Sequence, residues 1–128
     1  PGGKPHCHTL LYVEDNPANL RLMQQVLAPR SDIRLLSTGE PLVGLELARS
    51  EHPDLIMLDI NLPGMSGFEV LKELHASADT SKTPVLAISA NAMPADIERG
   101  LAAGFLAYLT KPLDLTKLQL EIDRLLDS

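Results

Sequence analysis

The sequence predicts an α/β fold: one doubly wound, mostly parallel sheet of five strands, covered on both faces by five helices. Three observations predict it. Five short apolar runs are bounded by turn residues. Five segments with helical spacing alternate with them. The runs are nearly continuous in apolar residues rather than alternating, as suits strands buried on both faces.

The first run is Thr9-Leu10-Leu11-Tyr12-Val13, which ends in Glu14-Asp15. Asn16 follows as an N-cap with Pro17 at the first helical position. Leu20, Met23 and Leu27 then recur at helical spacing, and Pro29 closes the helix. Ile33 to Ser37 is a weaker second strand, and Glu40 to Ser50 a second helix. Leu55 to Leu58 is the third strand and ends in Asp59. Ser66 to Ala76 is the third helix, with Phe68, Leu71 and Leu74 on one stripe. Val85 to Ile88 ends in Ser89. Pro94 to Ala103 is the fourth helix, with Gly104 as its C-cap. Leu106 to Thr110 ends in Lys111, and Thr116 to Leu126 is the fifth helix, with Leu115, Leu118, Ile122 and Leu125 along one side. Residues 1–8 read as a tail or linker and 9–128 as one domain.

Composition bounds the function. The chain has 128 residues, the size of one domain, and 45% of them are apolar, which suits a folded core. Its net charge of −6 lacks the basic footprint of a nucleic-acid binder and gives no reason for contact with anionic lipid. No apolar run approaches the roughly 20 residues of a membrane span, and Pro1 to Pro5 lacks a signal peptide's apolar stretch. With a single cysteine, Cys7, no internal disulfide forms, so a cytoplasmic location is expected. His6-Cys7-His8 has no fourth metal-ligating partner nearby and reads as a solvated tail.

In a doubly wound sheet the working site lies beyond the carboxyl ends of the strands. Glu14, Asp15, Asp59, Ser89 and Lys111 all end strands, so they should converge on one rim. Singly, each has a plain alternative: a cap for the acids, an ordinary strand-end hydroxyl for Ser89 and a solvated surface lysine for Lys111. Together they form a coherent set. Three clustered carboxylates resist joint ionisation, and a hard divalent cation removes that conflict. Lys111 offers a point charge to a phosphate oxygen, Ser89 a hydroxyl, and Asp59 a nucleophile.

These stretches carry a resemblance: Leu11-Tyr12-Val13-Glu14-Asp15-Asn16, then Leu58-Asp59 through Ser66-Gly67, then Ala87-Ile88-Ser89-Ala90, then Tyr108-Leu109-Thr110-Lys111-Pro112. In that order and spacing, from about Leu10 onward, the sequence resembles the receiver domain of two-component response regulators. The resemblance implies a flavodoxin-like sheet of strand order 2-1-3-4-5. It implies that Asp59 is the phosphoacceptor, supplied by a sensor histidine kinase or a histidine phosphotransfer domain. Asp15, Asp59 and the backbone carbonyl of Asn61 would hold Mg²⁺, with Mn²⁺ as the alternative ion. Glu14, where the family often has Asp, would act through water. Lys111 would bind a phosphoryl oxygen across a cis Lys111-Pro112 bond. Ser89 and Tyr108 would be the switch pair, and Asn61 and Asn91 would tune phosphoryl lifetime. An isolated domain of this kind is no enzyme beyond its own phosphorylation and autodephosphorylation.

Val13 to Leu20 and Ala90 to Pro94 are similar to receivers attached to hybrid sensor kinases, so that origin is expected beside a stand-alone regulator or part of a longer one. The output surface would be the fourth helix, fifth strand and fifth helix. Leu106, at a position often small or acidic in the family, and Leu120, off the stripe of the last helix, look surplus to the core and point to a homodimer there. Two other classes compete. An aspartyl-phosphate phosphohydrolase needs an acid where Asn61 stands, and a flavin binder would have to place phosphate against Glu14-Asp15. A receiver that is never phosphorylated would serve only as an interaction module, yet every expected group is present.

Overall fold

A computed structural model describes residues 8–127. In chain order it comprises β1 (His8–Val13), α1 (Pro17–Leu27), β2 (Ile33–Thr38), α2 (Pro41–Glu51), β3 (Leu55–Asp59), α3 (Gly67–Ala76), β4 (Val85–Ser89), α4 (Pro94–Ala103), β5 (Ala107–Thr110) and α5 (Leu115–Asp127). The five strands form one parallel sheet in the order β2-β1-β3-β4-β5. The predicted fold class and strand order are therefore observed.

Local chemistry explains the element ends. Asn16 is extended, and its side chain accepts the Ala18 N–H at 2.8 Å, capping α1. Ser66 and Glu69 exchange side-chain and backbone hydrogen bonds in a capping box that starts α3. Gly104 closes α4 at φ 119°, a left-handed conformation costly to residues with a Cβ. Arg30, just past α1, pairs with Asp32 before β2 and with Asp123 on α5, each at 2.8 Å.

Period-two alternation in the strands builds two cores. Leu10, Tyr12, Met57, Leu86 and Ile88 face α1 and α5 and pack with Met23, Leu27, Leu118, Ile122 and Leu125. Leu11, Val13, Ile56, Leu58, Val85 and Ala87 face the other way, against Leu45 and Ala48 of α2 and Val70, Leu71 and Leu74 of α3.

Some details differ from expectation. β1 starts at His8, whose N–H bonds to Asp32 O at 2.9 Å, so the strand takes in the last residue of the expected tail or linker. The rest of that tail, with His6 and Cys7, lies outside the described residues. Leu115 opens α5 exposed to solvent, whereas Leu118, Ile122 and Leu125 of the same predicted stripe are buried. Val70, not Phe68, joins Leu71 and Leu74 in the fully buried face of α3; Phe68 stacks edge-on to Phe105, with Arg99 over its ring. Leu106 precedes β5 and is exposed.

Candidate functional site at the carboxyl rim of the sheet

Strand register assembles the site. Val13 pairs with Leu58, so Glu14, one residue on, comes beside Asp59. Asp59 pairs with Ile88, and Ser89 with Thr110, which carries Lys111 to the same rim. Glu14, Asp59 and Ser89 are buried and Asp15 is exposed. One oxygen from each of Glu14, Asp15 and Asp59 lies within 4.8 Å of the others.

Lys111 Nζ bridges two of these acids, donating to Glu14 Oε1 and Asp59 Oδ2 at 2.9 Å each. The Lys111-Pro112 bond is cis, as expected. The Asn61 N–H donates to the other Asp59 oxygen, Oδ1, at 2.9 Å. The Asn91 N–H donates to Ser89 Oγ at 3.0 Å, and the Tyr108 hydroxyl donates to Asn91 O at 2.9 Å. Thus Ser89, Asn91 and Tyr108 form one chain of contacts at the ends of β4 and β5. The Tyr108 ring lies on Gly100 of α4, where an added Cβ would come within 2.6 Å of Cδ2.

Sequence reasoning missed two participants. The Tyr12 hydroxyl, fully buried, donates to Glu14 Oε1 at 3.1 Å, and Asn19 Nδ2 donates to the same oxygen at 3.2 Å. A signal for Tyr12 existed: residues two apart on a strand share a face, so an aromatic hydroxyl at 12 lies on the side of Glu14. Asn19 gave no such signal, since its reach to Glu14 depends on how α1 crosses the rim.

The charges explain the titration directions. Burial, and then the adjacent Glu14, push the Asp59 carboxyl above the usual carboxylate range; Lys111 and the Asn61 N–H oppose this only in part. Burial also works against Glu14, yet its contacts with Asp59, Lys111 and the Asn16 N–H hold it below its ordinary value. Lys111 loses hydration by burial, but its two carboxylate partners outweigh that and raise it. Burial and the Glu14 charge raise Tyr12 well above the ordinary phenol range, so it remains a hydroxyl donor. A buried acid whose ionisation is disfavoured beside two others, with carboxylate oxygens alone, suits a hard divalent cation.

The sequence profile of the response regulator receiver domain matches residues 10–123. This chain belongs to that family. The receiver is 38% identical over 109 residues to the polar-differentiation response regulator DivK of Brucella ovis, covering 85% of this chain and 88% of that protein. Its fold matches the receiver domain of sensor histidine kinase PA1611 from Pseudomonas aeruginosa, with magnesium coordinated in that protein's active site cleft. The TM-score is 0.85 at 30% identity, over 94% of this chain and 98% of that one. It also matches the signal receiver domain of a histidine kinase from Syntrophus aciditrophicus, with a TM-score of 0.83 at 25% identity, over 94% and 90% of the two chains. The acidic cluster of Glu14, Asp15 and Asp59 fits the phosphorylation site of such a receiver.

Proposed function

We propose that Asp59 is the phosphoacceptor, charged by a phosphohistidine of a sensor histidine kinase or histidine phosphotransfer domain. The observation that carries this is the placement of Asp59, at the end of the central strand, against Lys111 Nζ and within 4.8 Å of oxygens from Glu14 and Asp15. An Asp59 carboxylate oxygen bonds to phosphorus as the P–N bond breaks, leaving an acyl phosphate on Asp59 and a neutral histidine once it takes up a proton. Lys111 Nζ, already at Asp59 Oδ2, stabilises charge on a phosphoryl oxygen. Asp15, Asp59 and the Asn61 carbonyl would hold Mg²⁺, or Mn²⁺ in its place, which would supply positive charge to the phosphoryl oxygens. The PA1611 receiver's magnesium supports this assignment by relation.

Ser89 Oγ is the switch hydroxyl. When it turns to the phosphoryl group it leaves the Asn91 N–H, and that loosens the Asn91–Tyr108 contact beside it. Asn61 and Asn91 flank the phosphoryl position and set its lifetime through access for water. In isolation the domain catalyses only its own phosphorylation and dephosphorylation; its expected setting is the cytoplasm, as the receiver of a hybrid sensor kinase, a stand-alone regulator or part of a longer one. Incubation with Mg²⁺ and acetyl phosphate should yield a phosphoryl adduct by intact mass, absent in Asp59→Asn. An adduct that persists in Asp59→Asn would overturn the assignment.

The exposed leucines favour a second copy of the chain as an output partner. Leu106 and Leu120 are 54% and 65% exposed, and Met93 and Leu101 are exposed on the adjoining α4 side. Leu106→Lys with Leu120→Lys should weaken self-association of the phosphorylated protein in sedimentation; equal association at every concentration would remove this surface from the interface.

A further inference from the structure

We infer that a second copy of this chain docks its α5 into a groove between α2 and the β3–α3 loop, with Leu120 as the apolar anchor and Lys117 meeting Glu40. The groove is a cavity of about 390 Å³, walled by Pro41 and Leu42 at the start of α2 and by Pro63 and Met65 of the loop. Apolar clefts of this size, roughly 300 Å³ and above, are where ligands and partner groups insert. Over Gly64 the groove is open, for an added Cβ there would meet nothing within 4 Å. Leu42 on its rim is 68% exposed. Glu40 is the one charged residue in its lining, exposed, and no described cation pairs with it. The groove is therefore complementary to an apolar side chain that stands beside a cation.

The chain itself carries that combination. Among the exposed large apolar side chains of the described residues, only that of Leu120 has a basic residue one helical turn away on both sides, Lys117 and Arg124. At spacings of three and four these share its face of α5. Leu120 is 65% exposed, so that face is bare. Arg124 is engaged by Glu121 of its own helix at 2.7 Å. Lys117 has no described acid partner, and it is the cation left to answer Glu40. With a net charge of −6, two copies repel in most orientations, so a contact that sets a cation on an acid is favoured over the rest. α5 packs on one face of the sheet and α2 on the other. Two copies joined this way leave one groove and one Leu120 face free, so the contact repeats head to tail instead of closing as a dimer.

This contact goes beyond the output reading above, which concerns the phosphorylated protein, and sedimentation of the full chain without phosphodonor separates the two. The contact is small and therefore weak, so the series should extend to about 1 mM. Over it the mean mass of the parent should rise past that of a dimer. Glu40→Lys and Lys117→Glu each replace an attraction by a repulsion, and each should weaken association by about three- to tenfold. Neither disturbs the fold: the Glu40 side chain makes no capping bond to α2, and Lys117 is exposed in the first turn of α5. Mixed in equal amounts, the two variants should recover the parent's association, because every groove then finds an α5 of opposite charge. Damage to folding cannot produce that recovery. A parent that stays monomeric or stops at a dimer would overturn the inference. So would Glu40→Lys associating like the parent, or a mixture no better than its components. Association that appears only after phosphorylation would leave the output reading standing and remove this one.

Discussion

Gly67→Ala is expected to lower stability by about 2–4 kcal/mol, more than any other single methyl group added at a glycine of this domain. A Cβ there would lie 2.7 Å from Ile60 Cα and 2.8 Å from Asp59 O. Both are backbone atoms, so no side-chain rotation relieves the overlap. The chain needs this approach because the Gly67 N–H donates to Ile60 O at 2.8 Å, fastening the first residue of α3 to the loop after β3. Relief requires α3 to back away or Asp59–Ile60 to shift. The second movement displaces the proposed nucleophile from Lys111, so phosphorylation by acetyl phosphate should slow by at least about tenfold in the folded fraction. Gly64→Ala is the control. Gly64 has φ 80° and nothing within 4 Å of an added Cβ, so only the left-handed backbone cost of about 1 kcal/mol applies. Urea unfolding decides the comparison, and equal losses for the two variants would refute the close-approach account.

These two glycines illustrate what sequence could convey. By residue type alone a glycine suits either a turn or a close approach, and which of the two serves which purpose depends on where α3 docks. Helix ends written in local chemistry were legible: Asn16 before Pro17, and Gly104 after α4, act through bonds within a few residues. So was the rim, because strand ends in a parallel sheet must converge once topology is fixed. Side-chain roles set by crossing elements were less so. Leu115 matches the α5 stripe by spacing but is exposed, and Tyr12 looks like one more core residue in an apolar run. Its hydroxyl matters only because the register places Glu14 in line with Asp59 and Lys111, and thereby fills the space beside that hydroxyl with charge.

Lys111→Ala should have the largest effect on the site itself. Lys111 is the one cation that contacts both buried acids, at 2.9 Å from each among the described residues. Its removal leaves two adjacent carboxylates without a counter-charge, a loss of about 3 kcal/mol for buried pairs, reduced here by the partial exposure of the ammonium. The destabilisation should depend on pH with a definite sign. Asp59 already titrates above the usual carboxylate range, so the stability linked to its proton is present at low pH and fades as pH rises through that raised value. Glu14 behaves oppositely: held low, its contribution is present near neutrality and is lost only on acidification below the ordinary carboxylate range. Without Lys111, Glu14 loses a principal cause of its depression and joins Asp59 in favouring protonation. The variant should therefore be most impaired near pH 7 and recover toward pH 5, whereas the parent changes less over that interval. Divalent cation should also rescue it, since an ion replaces the missing positive charge and stabilises by mass action. Rescue of folding would not restore function: with no ammonium to meet the phosphoryl oxygen, phosphorylation should fall by at least about a hundredfold. Thermal melts across pH, with and without Mg²⁺, check the first claim. A Lys111→Ala protein equally stable at pH 5 and pH 7 would show that the acids do not depend on this lysine, and with that the electrostatic basis for placing the nucleophile at Asp59 would fail.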